Sequence, residues 1–127
     1  MLEVMDLCVS YGKTPTVKDI SFQVNSGQIV GLVGESGSGK STVVRSILGL
    51  LPPNGKIMSG DIVFHGENLA GYGRKDWRNV RGNRISMIFQ HPEHSMDPVV
   101  TIGDQFCECM KTVRGVKKKD ALDRASE

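Results

Sequence analysis

Gly34-Glu35-Ser36-Gly37-Ser38-Gly39-Lys40-Ser41 is the stretch that decides how this chain is read. It fits Gly-x-x-x-x-Gly-Lys-Ser/Thr, the P-loop spacing for cradling phosphates. Phosphates need a concave row of backbone N–H groups at the start of a helix, and only a glycine-rich loop turns them inward without Cβ clashes. Gly34, Gly37 and Gly39 permit that turn. Lys40 is placed to reach the β and γ phosphates, and the Ser41 hydroxyl to enter a Mg²⁺ shell. The flanks agree with this reading. Ile29-Val30-Gly31-Leu32-Val33 precedes as a continuous apolar run, which predicts a core strand buried on both faces. Val43, Val44, Ile47, Leu48 and Leu51 follow at helical spacing until Pro52-Pro53.

Outward from the loop, Leu2 to Val9 reads as a strand, and Ile20, Phe22 and Val24 alternate with Ser21 and Gln23 as a half-buried antiparallel strand does. Asp61 to His65 predicts a further strand of this layer, turning at Gly66. A Trp77-containing segment follows, with Arg74, Arg78 and Arg81 at helical spacing up to Gly82. Ile85 to Phe89 predicts a second core strand running into Gln90. Thr101-x-x-Asp104 forms a capping box, with Ile102, Phe106, Cys109/Met110 and Val113 as the apolar face of its helix up to Gly115. A last helix is expected from Lys118 with Ala121, Leu122 and Ala125 as its first apolar positions, and it reads as cut short at Glu127.

The composition is that of a soluble globular protein, with 39% hydrophobic and 24% charged residues among 127. No apolar run approaches the roughly 18 to 20 residues of a spanning helix, and the start Met1-Leu2-Glu3-Val4-Met5-Asp6 lacks the basic and apolar regions of a signal peptide. A cytosolic chain is expected. Three cysteines, Cys8, Cys107 and Cys109, make no disulfide framework. The net charge of +2 conceals basic residues gathered in Arg74 to Arg84 and an acidic stretch after it. Such blocks suit several partner surfaces, and nucleic acid is not expected as a partner. Cys107-x-Cys109 and the pair His91 and His94 were weighed as metal ligands, but each is better read as structural or solvated.

Tyr11, the run from Gly34 to Thr42, and Ile88-Phe89-Gln90 together resemble the amino-terminal part of an ATP-binding cassette (ABC) ATPase. Ser95-Met96-Asp97-Pro98-Val99-Val100-Thr101-Ile102-Gly103-Asp104-Gln105 is similar to the ATPase subunits of peptide-type importers, which carry oligopeptides, dipeptides or nickel. The resemblance implies an α/β P-loop NTPase fold: an antiparallel β layer, a partial parallel core sheet, and a helical subdomain that is truncated. Residues 1–98 would form the nucleotide-binding core and residues 99–127 the start of the helical subdomain. It further implies that ATP and Mg²⁺ are held by Tyr11 on the adenine and by Gly34, Glu35, Ser36, Gly37, Ser38, Gly39, Lys40, Ser41 and Thr42 on the phosphates. Ser41 and Gln90 would contact the metal, and Gln90 with Lys40 would serve the reaction, Gln90 by sensing Mg²⁺ and the attacking water.

The implied partners are transmembrane permease subunits and a second ATPase subunit in a head-to-tail dimer, at the cytoplasmic face of the inner membrane. Hydrolysis in such ATPases also needs an acidic strand end, a catalytic glutamate, a Leu-Ser-Gly-Gly-Gln signature and a switch histidine. None can be placed after Gln90. The chain alone is therefore expected to be inactive as an ATPase, to bind MgATP weakly at best and to self-associate. A P-loop small-molecule kinase and a non-catalytic nucleotide-sensing or assembly module remain open beside this reading.

Overall fold

The computed structural model describes residues 1–117 together with Asp120 and Ala121. The chain forms two compact units, Met1–Trp77 and Arg78–Glu127.

The first unit is built on a four-stranded antiparallel sheet of β1 (Leu2–Tyr11), β2 (Thr14–Val24), β3 (Gly55–Phe64) and β4 (Glu67–Asn68), in the order β2-β1-β3-β4. β1 is one of two inner strands, pairing Leu2 with Val24 on one side and with Phe64 on the other. Its side chains Val4, Leu7 and Val9 join Val17 and Ile62 in the core, each buried. On β2, Ile20, Phe22 and Val24 are half-buried while Ser21 and Gln23 are exposed, so the alternation in the sequence reports the sheet face correctly. β3 begins at Gly55, six residues before the expected Asp61, because β1 continues to Tyr11 and offers Gly55 a partner there. The ladder bulges near Asp6, whose carboxylate accepts a hydrogen bond from Ser21 Oγ at 2.9 Å while its N–H donates to the same oxygen at 2.8 Å.

Helix α1 covers Lys40–Ile47 and lies against β2. The apolar spacing to Leu51 suggests a longer helix, but Gly49, at φ 59, ends it. The Gly49 N–H donates to the Ser46 carbonyl at 3.0 Å and the Leu50 N–H to the Arg45 carbonyl at 2.8 Å, a Schellman closure that satisfies the last turn. A side chain at Gly49 would collide with the Trp77 indole, which stands edge-on to Tyr72. Helix α2, Arg74–Val80, carries the chain toward the second unit; Arg81 lies beyond it, so the three arginines do not share one helix.

The two runs expected as parallel core strands are not strands. Residues 29–33 and 86–89 lie outside any ladder, and Arg81 with Ile85 makes the one parallel bridge among the described residues. Ile29 is 98% exposed, Val33 93% and Ile88 89%. Apolarity on both faces specifies an environment, and a strand forms only when neighbours satisfy both rows of its N–H and C=O groups. Among the described residues those neighbours are not supplied.

In the second unit, helix α3 runs from Ile102 to Arg114. The capping box forms as its sequence indicates: Thr101 Oγ1 accepts the Asp104 N–H at 3.2 Å and donates to Asp104 Oδ2 at 2.8 Å. Gly115 closes the other end at φ 64. The covered side keeps Met110 and Val113 of the expected face but takes in Cys107 in place of Ile102 and Phe106. Cys107 is buried and Met110 and Val113 are half-buried, whereas Ile102 and Phe106 are exposed. Both alternatives are apolar, and packing selects between them. A 3₁₀ turn, Pro92–Ser95, precedes this helix. Of the last expected helix, Lys118, Lys119 and everything from Leu122 onward lie outside the described residues.

Candidate functional site: a phosphate loop at the start of α1

The loop from Gly34 to Gly39 delivers the chain into α1 through two left-handed residues, Gly37 at φ 80 and Gly39 at φ 94. Gly39 is the tighter of the two. A Cβ there would stand 3.1 Å from the Thr16 carbonyl oxygen and 3.2 Å from Val17 Cγ2, so β2 and the loop touch backbone to backbone. The first N–H groups of any helix have no intrahelical acceptor. At α1 no side chain caps them and no acidic residue occupies the first turn. The positive end of the helix is thus left for an external anion.

Gly37, Gly39, Lys40, Ser41 and Thr42 line one cleft of about 170 Å³, together with Thr16 from β2. Thr16 was not singled out from the sequence, since nothing in its local pattern marks it. Its place follows from the close packing of the start of β2 on Gly39. A larger cavity of about 390 Å³ adjoins the loop, with Lys40, Ser38 and Gly34 facing Val17, Ile20 and Leu32.

Lys40 is held over its own loop. Its Nζ donates to the Gly34 carbonyl at 2.7 Å, to the Glu35 carbonyl, and more weakly to Ser38 Oγ at 3.4 Å. These contacts keep the ammonium near the loop, where an incoming phosphate offers charged oxygens in place of neutral carbonyls. Glu35 and Ser36 are exposed at the rim, and Ser41 presents an exposed side chain on the first turn. Thr42 is buried, and its hydroxyl lies 3.2 Å from the hydroxyl of Tyr11. Tyr11 is therefore brought beside the first turn of α1, and its half-buried ring lies beside Gly55.

Gln90 belongs to the second unit, exposed in a bend after residues 86–89. His91 Nδ1 lies 3.3 Å from Glu93 Oε1, and the His91 and His94 rings stack at 5.4 Å. No group of three or more histidine, cysteine, aspartate or glutamate residues is placed to hold a metal among the described residues. Cys107 is buried and Cys109 exposed, on different sides of α3. Gln105 ties the preceding loop to α3: its Oε1 accepts the Asp97 N–H at 2.9 Å and its Nε2 donates to the Asp97 and Val100 carbonyls at 3.0 and 2.9 Å.

The ABC transporter family model matches residues 17–127, and the chain belongs to that family. It is 41% identical to the dipeptide transport ATP-binding protein DppD of Lactococcus lactis over all of its own length and 38% of that protein's. It is 45% identical to the oligopeptide transport ATP-binding protein AppD of Bacillus subtilis, over 89% of this chain and 35% of the other. The chain thus spans little more than a third of these relatives. A solved structure of an ATP binding subunit of an ABC transporter aligns with a TM-score of 0.62 at 24% identity, over 90% of this chain and 43% of that one. The α/β P-loop NTPase fold of the ABC type, expected from the resemblance, is the fold of this chain. Among the described residues no helix is long and apolar enough to cross a membrane.

Proposed function

We propose that this chain is the nucleotide-holding, amino-terminal part of an ATPase subunit that energises a peptide-type importer. The observation that carries the reading is the single cleft formed by Gly37, Gly39, Lys40, Ser41 and Thr42 at the uncapped start of α1. The names of the relatives, dipeptide and oligopeptide transport ATP-binding proteins, support the direction of transport chemistry. ABC family membership favours this over a small-molecule kinase.

In this reading the N–H groups of the loop and first turn bind the β and γ phosphates, Lys40 exchanges its carbonyl partners for phosphate oxygens, and Thr42 takes the α-phosphate. Glu35, Ser36 and Ser38 complete the rim, and Tyr11 supports the adenine. The donor set fits a magnesium nucleotide, because the first turn carries a hydroxyl at Ser41 and no carboxylate to repel the triphosphate. Mg²⁺, when bound, neutralises charge developing on the phosphates. Ser41 and Gln90 are the residues assigned to hold it. Gln90 is neutral and can both donate and accept, which suits a residue that orients water without adding charge.

Residues 1–98 would serve as the binding core and 99–127 as the opening of the helical subdomain. Permease subunits and a second ATPase subunit are the proposed partners, at the cytoplasmic face of the membrane, with no nucleic acid involved. Titration of MgATP into the wild-type chain and into Lys40→Ala tests the reading. Binding that Lys40→Ala abolishes is expected, and equal affinity in the two would overturn it.

A further inference from the structure

We propose that the Tyr11 hydroxyl is a positioning group for Thr42, donating its proton to Thr42 Oγ1 so that the Thr42 proton is free for a phosphate oxygen. The two oxygens stand 3.2 Å apart, and either could donate on geometry alone. A phenol is intrinsically the more acidic of the two hydroxyl types and so the better donor. Thr42 Oγ1 then has one accepted bond and one free proton, and polarisation by the first bond strengthens the second.

Other features separate this contact from simple packing. The backbone of Thr42 is held without it, through Ser46 Oγ donating to the Thr42 carbonyl at 2.7 Å within α1. Tyr11 is fixed from the opposite side by the sheet, where it pairs with Thr14 on β2 and Gly55 on β3. Gly55 makes room for it: a Cβ there would come within 2.7 Å of the ring. Thr42 in turn lines the cleft with Lys40 and Ser41. The end of β1 thereby reaches the phosphate cleft through a single hydroxyl, independently of anything the ring does for a base. This step rests on the proposed phosphate reading of the loop.

The test uses the full chain with two probes, MgATP and magnesium tripolyphosphate, measured by titration calorimetry. Tripolyphosphate has no base, so it is blind to the Tyr11 ring. Tyr11→Phe is expected to weaken both probes, each by about twofold, because the Tyr11–Thr42 bond exists with and without ligand and only its polarisation of the Thr42 donor is lost. In a Thr42→Val background the same change should add nothing, whereas in Thr42→Ser, which keeps the hydroxyl, the penalty should persist. Tyr11→Phe binding both probes like wild type overturns the proposal, as does a loss confined to ATP or a loss undiminished in Thr42→Val. If the wild-type chain binds neither probe, the phosphate reading itself fails and this step falls with it. Binding by wild type with no Tyr11→Phe effect removes the Tyr11 step alone.

Discussion

Replacing the three glycines of the phosphate loop one at a time with alanine should give a graded loss of stability that follows the local geometry. Gly34 has an ordinary backbone, and its new methyl would meet Ser38 Oγ at 2.9 Å, the end of a side chain that can rotate away. Gly34→Ala should therefore cost under about 1 kcal/mol, partly offset by a stiffer unfolded chain. Gly37 has open space around it but sits at φ 80, so Gly37→Ala should cost roughly 1–2 kcal/mol from conformation alone. Gly39 combines both penalties. Its φ of 94 lies outside the left-handed well that other residues tolerate, and its methyl would press on the Thr16 carbonyl, which β2 holds in place. Backbone strain of about 1–3 kcal/mol plus on the order of 1 kcal/mol of overpacking gives roughly 2–4 kcal/mol for Gly39→Ala. Urea unfolding followed through Trp77, the sole tryptophan and a buried one, reads the series directly. If Gly39→Ala were no less stable than Gly34→Ala, the close approach of loop and β2 would be wrong.

Other expectations follow from single contacts. Thr101→Ala should lower stability by about 1 kcal/mol through loss of the α3 cap, measured by the same unfolding assay, and an unchanged midpoint would contradict the capping geometry. Gly49→Ala should destabilise the chain and alter Trp77 emission, since the new methyl meets the indole; native emission would argue against that packing. Exposure of Ile29, Val33, Ile88 and Val99 predicts self-association, read by size-exclusion chromatography with light scattering, and a stable monomer at high concentration would refute it. Gln90→Ala, in a transport-competent subunit carrying this sequence, should leave ATP affinity within a few-fold and lower transporter-stimulated turnover; normal turnover in reconstituted vesicles would remove Gln90 from the reaction.

The glycine-rich turn into α1 was legible in the sequence because its signals are local: glycines at fixed offsets, then a lysine and a hydroxyl on the first turn. The antiparallel layer was legible for a related reason, since the alternation of Ile20, Phe22 and Val24 reports one buried face whatever the partner strand. What the sequence could not disclose was pairing. Ile29 to Val33 and Ile85 to Phe89 advertise burial, yet a ladder also needs neighbours, and side chains do not name them. The same limit applies to the first half of α3, where Cys107 packs and the neighbouring Phe106 does not, while Met110 and Val113 keep the expected side. Gly49 was passed over as a helix stop because apolar spacing continues to Leu51 past it. The place of Thr16 and the Tyr11–Thr42 contact come from packing of the loop and α1 on the sheet, the latter across 31 residues, a separation no local pattern spans.

The central claim, that the loop before α1 holds the phosphates of a magnesium nucleotide, is tested most directly by amide nuclear magnetic resonance on the isotope-labelled chain. On adding MgATP, the largest shifts are predicted at the N–H groups of Gly37, Gly39, Lys40 and Ser41, with Thr42 close behind and all of them absent in Lys40→Ala. Shifts centred elsewhere, or shifts at these amides that survive Lys40→Ala unchanged, would contradict the claim.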